Sequence, residues 1–253
     1  MRKPSSVIIT GASSGIGKAL ALHYLRNGAF VGVCGRNEAR LCEIYQQFPK
    51  ATPLVFDVTD RESASSQLGE YIRSEGTLDL VVLNAGDHRS TDGIDFNVSD
   101  YTHLMRVNYF GIVNCLEPVI EAMTAQRSGV IALMGSLAGR TGLTHAGAYC
   151  ASKAAVLRLA ETLHVELEGL GIDVRLISPG FVKTPLTDRN EFPMPFLMSE
   201  EEAVKRIWRG LETNRFEIAF PARLALLIRL LSLLPRPLYF RALRGMLRKD
   251  RDV

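Results

Sequence analysis

Tyr149 and Lys153 stand four residues apart in Tyr149-Cys150-Ala151-Ser152-Lys153, so on a helix the phenol and the ammonium share one face. A free phenol titrates near pH 10 and is a poor base at neutrality. A cation beside it favours the phenolate, which predicts a lowered Tyr149 pKa and a general acid or base for physiological pH. Ser136, thirteen residues before the tyrosine, closes a β-like run and offers a hydroxyl to an oxygen on which charge develops. The three together suit proton transfer at a carbonyl or alcohol oxygen; the tyrosine–lysine spacing alone is common on exposed helices. Metal catalysis is not expected: the five histidines are scattered, and Cys34, Cys42, Cys115 and Cys150 lack CxxC spacing. With no secretory signal, those thiols read as reduced and mostly buried.

A second constellation handles phosphate. Thr10-Gly11-Ala12-Ser13-Ser14-Gly15-Ile16-Gly17 follows an apolar run and opens an amphipathic one. Gly11 can turn the chain at positive φ, Gly15 lets backbone approach a pyrophosphate, and Gly17 lets a helix pack closely on a strand. The helix N-terminus then offers unpaired N–H groups and a positive dipole end. The next apolar run ends Cys34-Gly35-Arg36-Asn37, with no carboxylate before Glu38. Dinucleotide sites hold the 2′-hydroxyl of NAD with an acid at this place and accommodate the 2′-phosphate of NADP with arginine. Arg36 therefore favours NADP(H) over NAD(H), its alternative being a solvated loop end. Asp57-Val58 closes the third run where an adenine amino group would lie; capping the following helix is the competing use of Asp57, although Asp60 suits that better.

Short β-branched runs at residues 7–10, 30–35, 52–57, 78–84, 129–135 and 173–178 alternate with helical stretches at 15–27, 38–47, 61–74, 100–127 and 149–169, and 216–220 adds a seventh strand. Runs apolar on both faces are the mark of a buried parallel sheet, and this alternation predicts an α/β, doubly wound fold with helices on both faces. With 253 residues, 47% of them hydrophobic, the chain can bury a large core. Without repeats or low-complexity linkers it reads as one domain, 1–253, with 222–253 as a helical extension. The irregular segment 181–198, with Pro185, Pro193 and Pro195, follows a strand's carboxyl end, where ligands sit in such sheets. The run at 7–9 is too short for a signal peptide, so a cytoplasmic setting is expected and the Asn97-Val98-Ser99 sequon is discounted.

The net charge of +3 is uneven. Residues 222–253 hold eight Arg or Lys against two Asp, a local +6 that leaves −3 for the first 221 residues. Residues 222–234 are almost wholly Leu, Ile and Ala, too few to span a bilayer, which needs about 20. After Pro235-Arg236-Pro237, Arg241, Arg244 and Arg248 recur at helical spacing, with Ala242, Leu243, Met246 and Leu247 on other faces. A basic amphipathic helix suits an anionic membrane surface at the periphery; packing over the cleft or against another subunit is the alternative. No stacking pattern or recognition motif points to nucleic acid.

With these motifs in order, the sequence resembles the short-chain dehydrogenase/reductase family, in its compact single-domain branch, from residue 7 to about 187. Residues 10–17 match its cofactor motif, so Gly11, Ser13, Ser14, Gly15, Ile16 and Gly17 are implied cofactor contacts. So are Arg36, Asp57 and Val58, and Asn84-Ala85-Gly86 matches the motif beside the cofactor. Asn108, Ser136, Tyr149 and Lys153 fall on the family's catalytic tetrad. Pro179-Gly180, Val182 and Thr184 fall at the nicotinamide end. The resemblance implies a Rossmann-type parallel seven-stranded sheet of order 3-2-1-4-5-6-7 and a homo-oligomer, dimer or tetramer. Its implied reaction moves hydride between NADP(H) and a ketone or aldehyde and its alcohol. Tyr149 would give the proton, Ser136 orient the oxygen, Lys153 hold the nicotinamide ribose, and Asn108 position a water. The apolar tail weakly favours a lipophilic substrate. Leu143-Thr144-His145 lacks the proline often found in that loop, and His145 either reaches substrate or is solvated. A non-catalytic NADP-binding regulator is the competing reading, since fold alone does not decide function; the intact Ser136, Tyr149 and Lys153 argue against it. A nucleotide-sugar epimerase is a weaker enzyme alternative.

Overall fold

The computed structural model describes residues 4–189 and 193–251, with side chains as far as Gly245. Its strands are β1 (Ser6–Thr10), β2 (Phe30–Gly35), β3 (Ala51–Val55), β4 (Leu80–Leu83), β5 (Gly129–Met134), β6 (Ile172–Pro179) and β7 (Glu217–Phe220). They pair in parallel in the order β3-β2-β1-β4-β5-β6-β7. Helices α1 (Gly15–Arg26), α2 (Glu38–Gln47) and α7 (Glu200–Leu211) cover one face; α3 (Arg61–Glu75), α5 (Gly111–Gln126) and α6 (Gly147–Glu168) cover the other.

The strands are apolar on both faces because both are covered. Val7 and Ile9 join the core under α1, α2 and α7, while Ile8 between them joins the core under α3, α5 and α6. Each such side chain, fully buried, contributes about 1.5–3 kcal/mol. The chain leaves β3 at one edge and returns as β4 on the far side of β1. The connections after β1 and β4 therefore diverge, and a crevice opens at their carboxyl ends.

The expected helix at 100–127 is divided. Helix α4 (Val98–Met105) runs into a π-helical turn, Arg106–Phe110, before α5 begins at Gly111. A π turn adds a residue to the hydrogen-bonded ring. Gly111 lies against Val58, where a Cβ would come within 2.6 Å of its methyl. The turn leaves Asn108 fully buried. Helix α7 was not among the expected elements, although Ser199 and Glu202 form the capping box that announces it. The tail forms α8 (Ala222–Leu233) and α9 (Arg236–Arg251).

Candidate active site

The turn from β1 to α1 builds one end of the crevice. Gly11 and Gly15 take φ of +67° and +57°, which side chains resist. A Cβ on Gly17 would stand 2.3 Å from the Gly11 carbonyl oxygen, so Gly17 closes the turn from behind and does not line the crevice. The Asn84 amide donates to the Thr10 carbonyl at 2.9 Å, and the Thr10 hydroxyl accepts from the Asn84 and Ala85 N–H groups at 2.9 and 3.0 Å. The ends of β1 and β4 are thereby clamped. Ser14 makes no side-chain cap on α1, and the first turn of α1 has no acid, whereas Asn37, Asp60, Asn97 and Ser199 cap α2, α3, α4 and α7. The terminus of α1 thus keeps its donors and positive end for an anion.

Beside it, Arg36 lies largely exposed with Nη1 at 3.6 Å from Asp57 Oδ2. Burial pushes the Asp57 carboxyl up, but the Thr59 backbone and hydroxyl and the Arg36 guanidinium outweigh it and hold the carboxyl low. Asp60 accepts from the Ser63 N–H and caps α3, so Asp57 is not used as the cap. Gly35, whose missing side chain faces Ser13, leaves space between the two turns.

The other end of the same crevice, about 270 Å³ in volume, is walled by Tyr149 and Lys153 of α6. Gly180, Val182 and Thr184 lie across from them, after β6. Ser136, two residues past β5, is the N-cap of a short 3₁₀ turn, Leu137–Arg140, accepting from the Ala138 N–H at 3.2 Å and donating to the Pro179 carbonyl at 3.4 Å. Lys153, buried, donates to the Met134 carbonyl at 2.8 Å and lies 5.8 Å from the Tyr149 ring centroid.

The expected downward shift of the Tyr149 phenol does not hold. Burial pushes it up to about 12, against the lowering effect of Ser136. The ammonium stands over the ring and is engaged by Met134, and burial lowers its own pKa to about 8. Tyr149 is therefore a neutral phenol at physiological pH, a proton donor in this state.

Asn108 lies just behind the crevice wall. Its Oδ1 accepts from the Asp87 N–H at 2.7 Å, and its Nδ2 donates to the Asp87 carbonyl and the Ser152 hydroxyl, both at 3.0 Å. The π turn thus fixes the end of β4 against α6. Of the remaining expected contacts, Ser13, Ser14, Ile16, Val58, Ala85, Gly86 and Pro179 line the crevice.

The structure adds residues that the sequence reading passed over. Asp87 lines the crevice and binds His103 Nε2 at 2.8 Å, with Arg189 at 3.7 Å. Burial raises the Asp87 carboxyl, but the His103 hydrogen bond, the His88 N–H and Arg189 bring it below its ordinary value. His88 sits edge-on to the Tyr149 ring, centroids 4.9 Å apart, its pKa lowered by burial despite Asp87. Their place directly after Asn84-Ala85-Gly86, at a strand's carboxyl end, was the available signal. His145 pairs with Asp92 at 3.5 Å.

A doubly wound sheet, with an anion cradle and a tyrosine–lysine pair lining one crevice and Ser136 bonded to its wall at Pro179, defines a nicotinamide-dependent oxidoreductase. The chain belongs to the short-chain dehydrogenase family, whose profile, described as short chain dehydrogenase, matches residues 5–193. It is 36% identical over 245 residues to an uncharacterised oxidoreductase of Myxococcus xanthus, covering 95% of this chain and 97% of the other. It is 34% identical to a 3-oxoacyl-(acyl-carrier-protein) reductase of Thermotoga maritima, covering 72% and 76%. Among solved structures it resembles a short-chain dehydrogenase of Burkholderia cenocepacia in complex with NADP, with a TM-score of 0.84, 26% identity and coverage of 95% and 98%. A Burkholderia phymatum enzyme in complex with NAD shares the fold, at 21% identity and TM-score 0.83.

Proposed function

We propose that this chain interconverts a ketone or aldehyde with its alcohol, using NADP(H) in preference to NAD(H). The observation that carries the reading is a crevice lined both by the uncapped, acid-free N-terminus of α1 and by Tyr149 and Lys153, with Ser136 beside it, bonded to the lining Pro179. The residues fit the dinucleotide. The turn Gly11–Ile16 would take the pyrophosphate, Arg36 and Ser13 the 2′-phosphate, and Asp57 and Val58 the adenine. Asn84, Ala85 and Gly86 would line its middle, and Pro179, Gly180, Val182 and Thr184 its nicotinamide end. When bound, it supplies or accepts the hydride.

The chain's own groups do the rest. Ser136 donates a hydrogen bond to the substrate oxygen and aligns it with the Tyr149 hydroxyl, and Tyr149, neutral before reaction, gives that oxygen its proton. Lys153 holds the nicotinamide ribose and offsets charge left on the phenol. With its amide engaged by Asp87 and Ser152, Asn108 would position water through its main chain. In the reverse direction Tyr149 must first lose its proton, so oxidation belongs to higher pH. NADP fits the β2 end, which has Arg36 and no carboxylate before Glu38, and the Burkholderia cenocepacia relative holds that cofactor.

The test is NADPH and NADH oxidation against ketones graded in chain length. NADPH should give the higher kcat/KM, and Arg36→Ala should erase most of the difference, roughly 10- to 150-fold for a charged hydrogen bond. Equal affinity of the unaltered protein for both cofactors refutes the preference. Activity rising with chain length supports a lipophilic substrate. The homo-oligomer belongs to the same reading and is read by sedimentation.

A further inference from the structure

Helix α8 is apolar on two opposite sides. Leu224 is buried, close to Gly180 and thus to the end of β6, and Ile228 and Leu231 follow it half-buried at helical spacing. On the far side Leu226, Leu227, Leu230 and Leu233 are 57%, 54%, 54% and 72% exposed, and Leu238 and Phe240 continue the surface at the start of α9. A helix apolar all round requires cover on both sides, and a contiguous exposed apolar stripe marks an interaction surface.

Which side faces outward is fixed by the catalytic body. Tyr239, buried, donates its hydroxyl to the Gly142 carbonyl at 2.6 Å, in the loop between Ser136 and Tyr149. The half-buried Ala242 and Leu243 share that inner side of α9, so the exposed apolar surface belongs mainly to α8. Around it Arg223, Arg229, Arg236, Arg241 and Arg244 are exposed. None of them pairs with an acid among the described residues.

We propose that this face seats the protein on an anionic lipid surface, with leucines entering the headgroup boundary and arginines meeting lipid phosphates and carboxylates. The charge selects the occupant. A second copy meeting this face symmetrically would set these five arginines against an identical five, whereas anionic lipid complements both the basic rim and the apolar centre. The contact is peripheral, since among the described residues no helix is long and apolar enough to cross a membrane.

Full-length protein is sedimented with vesicles of phosphatidylcholine alone and of phosphatidylcholine with phosphatidylserine. Binding should favour the anionic vesicles and persist in part at high salt, because buried leucine is not screened. Leu226→Glu with Leu230→Glu should abolish binding. Arg223→Gln with Arg229→Gln should weaken it about 5-fold per arginine at low salt while leaving circular dichroism and Tm unchanged. The arginine pair keeps the test decisive if the leucine pair misfolds. No preference for anionic vesicles, or arginine variants that bind as before, overturns the proposal. So does a dimer that the leucine substitutions split while neither form binds vesicles, which would make the face a contact between copies.

Discussion

Proton transfer rests on one hydroxyl, and its environment sets the direction in which the site works without adjustment. Burial keeps the Tyr149 phenol protonated, up to about 12. Tyr149→Phe removes the transferable proton with little change in packing, so turnover should fall by roughly 10²- to 10⁴-fold while cofactor affinity, measured by fluorescence titration, is retained. Near-normal turnover in the folded variant would exclude the mechanism. Lys153 carries a stability signature of its own, because burial lowers its pKa from 10.5 to about 8. Between those values the unfolded chain holds a proton that the folded chain has released, so stability rises with pH across that window and has no slope from this group below it. Lys153→Met abolishes the slope. The stability of the unaltered protein relative to the variant should therefore increase from pH 8 to 10.5, by on the order of 3 kcal/mol in all. Urea unfolding at several pH values reads it, and a difference independent of pH would show that the ammonium is not desolvated.

At the level of elements, function depends on close approaches that only particular backbone joints allow. The β1–α1 joint works because Gly17 sits against the Gly11 carbonyl, with the Asn84 amide 2.5 Å from where a Cβ would be. Neither neighbour is the free end of a long side chain, so Gly17→Ala must push α1 away from the turn. Overpacking of this kind costs about 1–3 kcal/mol, or roughly 2–4 °C of Tm per kcal/mol for a chain of this size, and cofactor affinity should fall with it. A variant with unchanged melting and affinity would mean that the turn yields more easily than its geometry indicates. The π turn works in the opposite sense, adding a residue so that Asn108 meets both backbone groups of Asp87.

Over the whole molecule, the tail is anchored on the loop that leads into the catalytic helix. Tyr239 and Gly142 are 97 residues apart in sequence, and their hydrogen bond ties α9 to the loop that precedes the catalytic helix. Tyr239→Phe keeps the ring and loses the bond, worth about 0.5–1.5 kcal/mol. Hydrogen exchange should quicken in α9 and around Gly142 and stay unchanged in β1, β4 and β5. Uniform loss of protection would instead show that the tail unfolds only with the sheet. The same anchoring holds the basic, leucine-rich face outward.

What the sequence alone determined is what short-range geometry controls. Alternating apolar and amphipathic runs specify buried strands and covering helices. Four-residue spacing puts Tyr149 and Lys153 on one helical face, and Gly11, Gly15 and Gly17 shape a turn within eight residues. The sheet order was legible only through the family resemblance that these motifs carry. Tertiary structure decided the rest, because burial and charge are summed over groups far apart in the chain. Burial in the surrounding core lowers the Lys153 pKa. Gly111 against Val58 accompanies the break in the expected helix. His103 and Arg189 reach Asp87 from two other segments. The inward side of the tail helices is chosen by Gly180 and Gly142, because a helix apolar on two faces carries no local instruction as to which one the protein will cover.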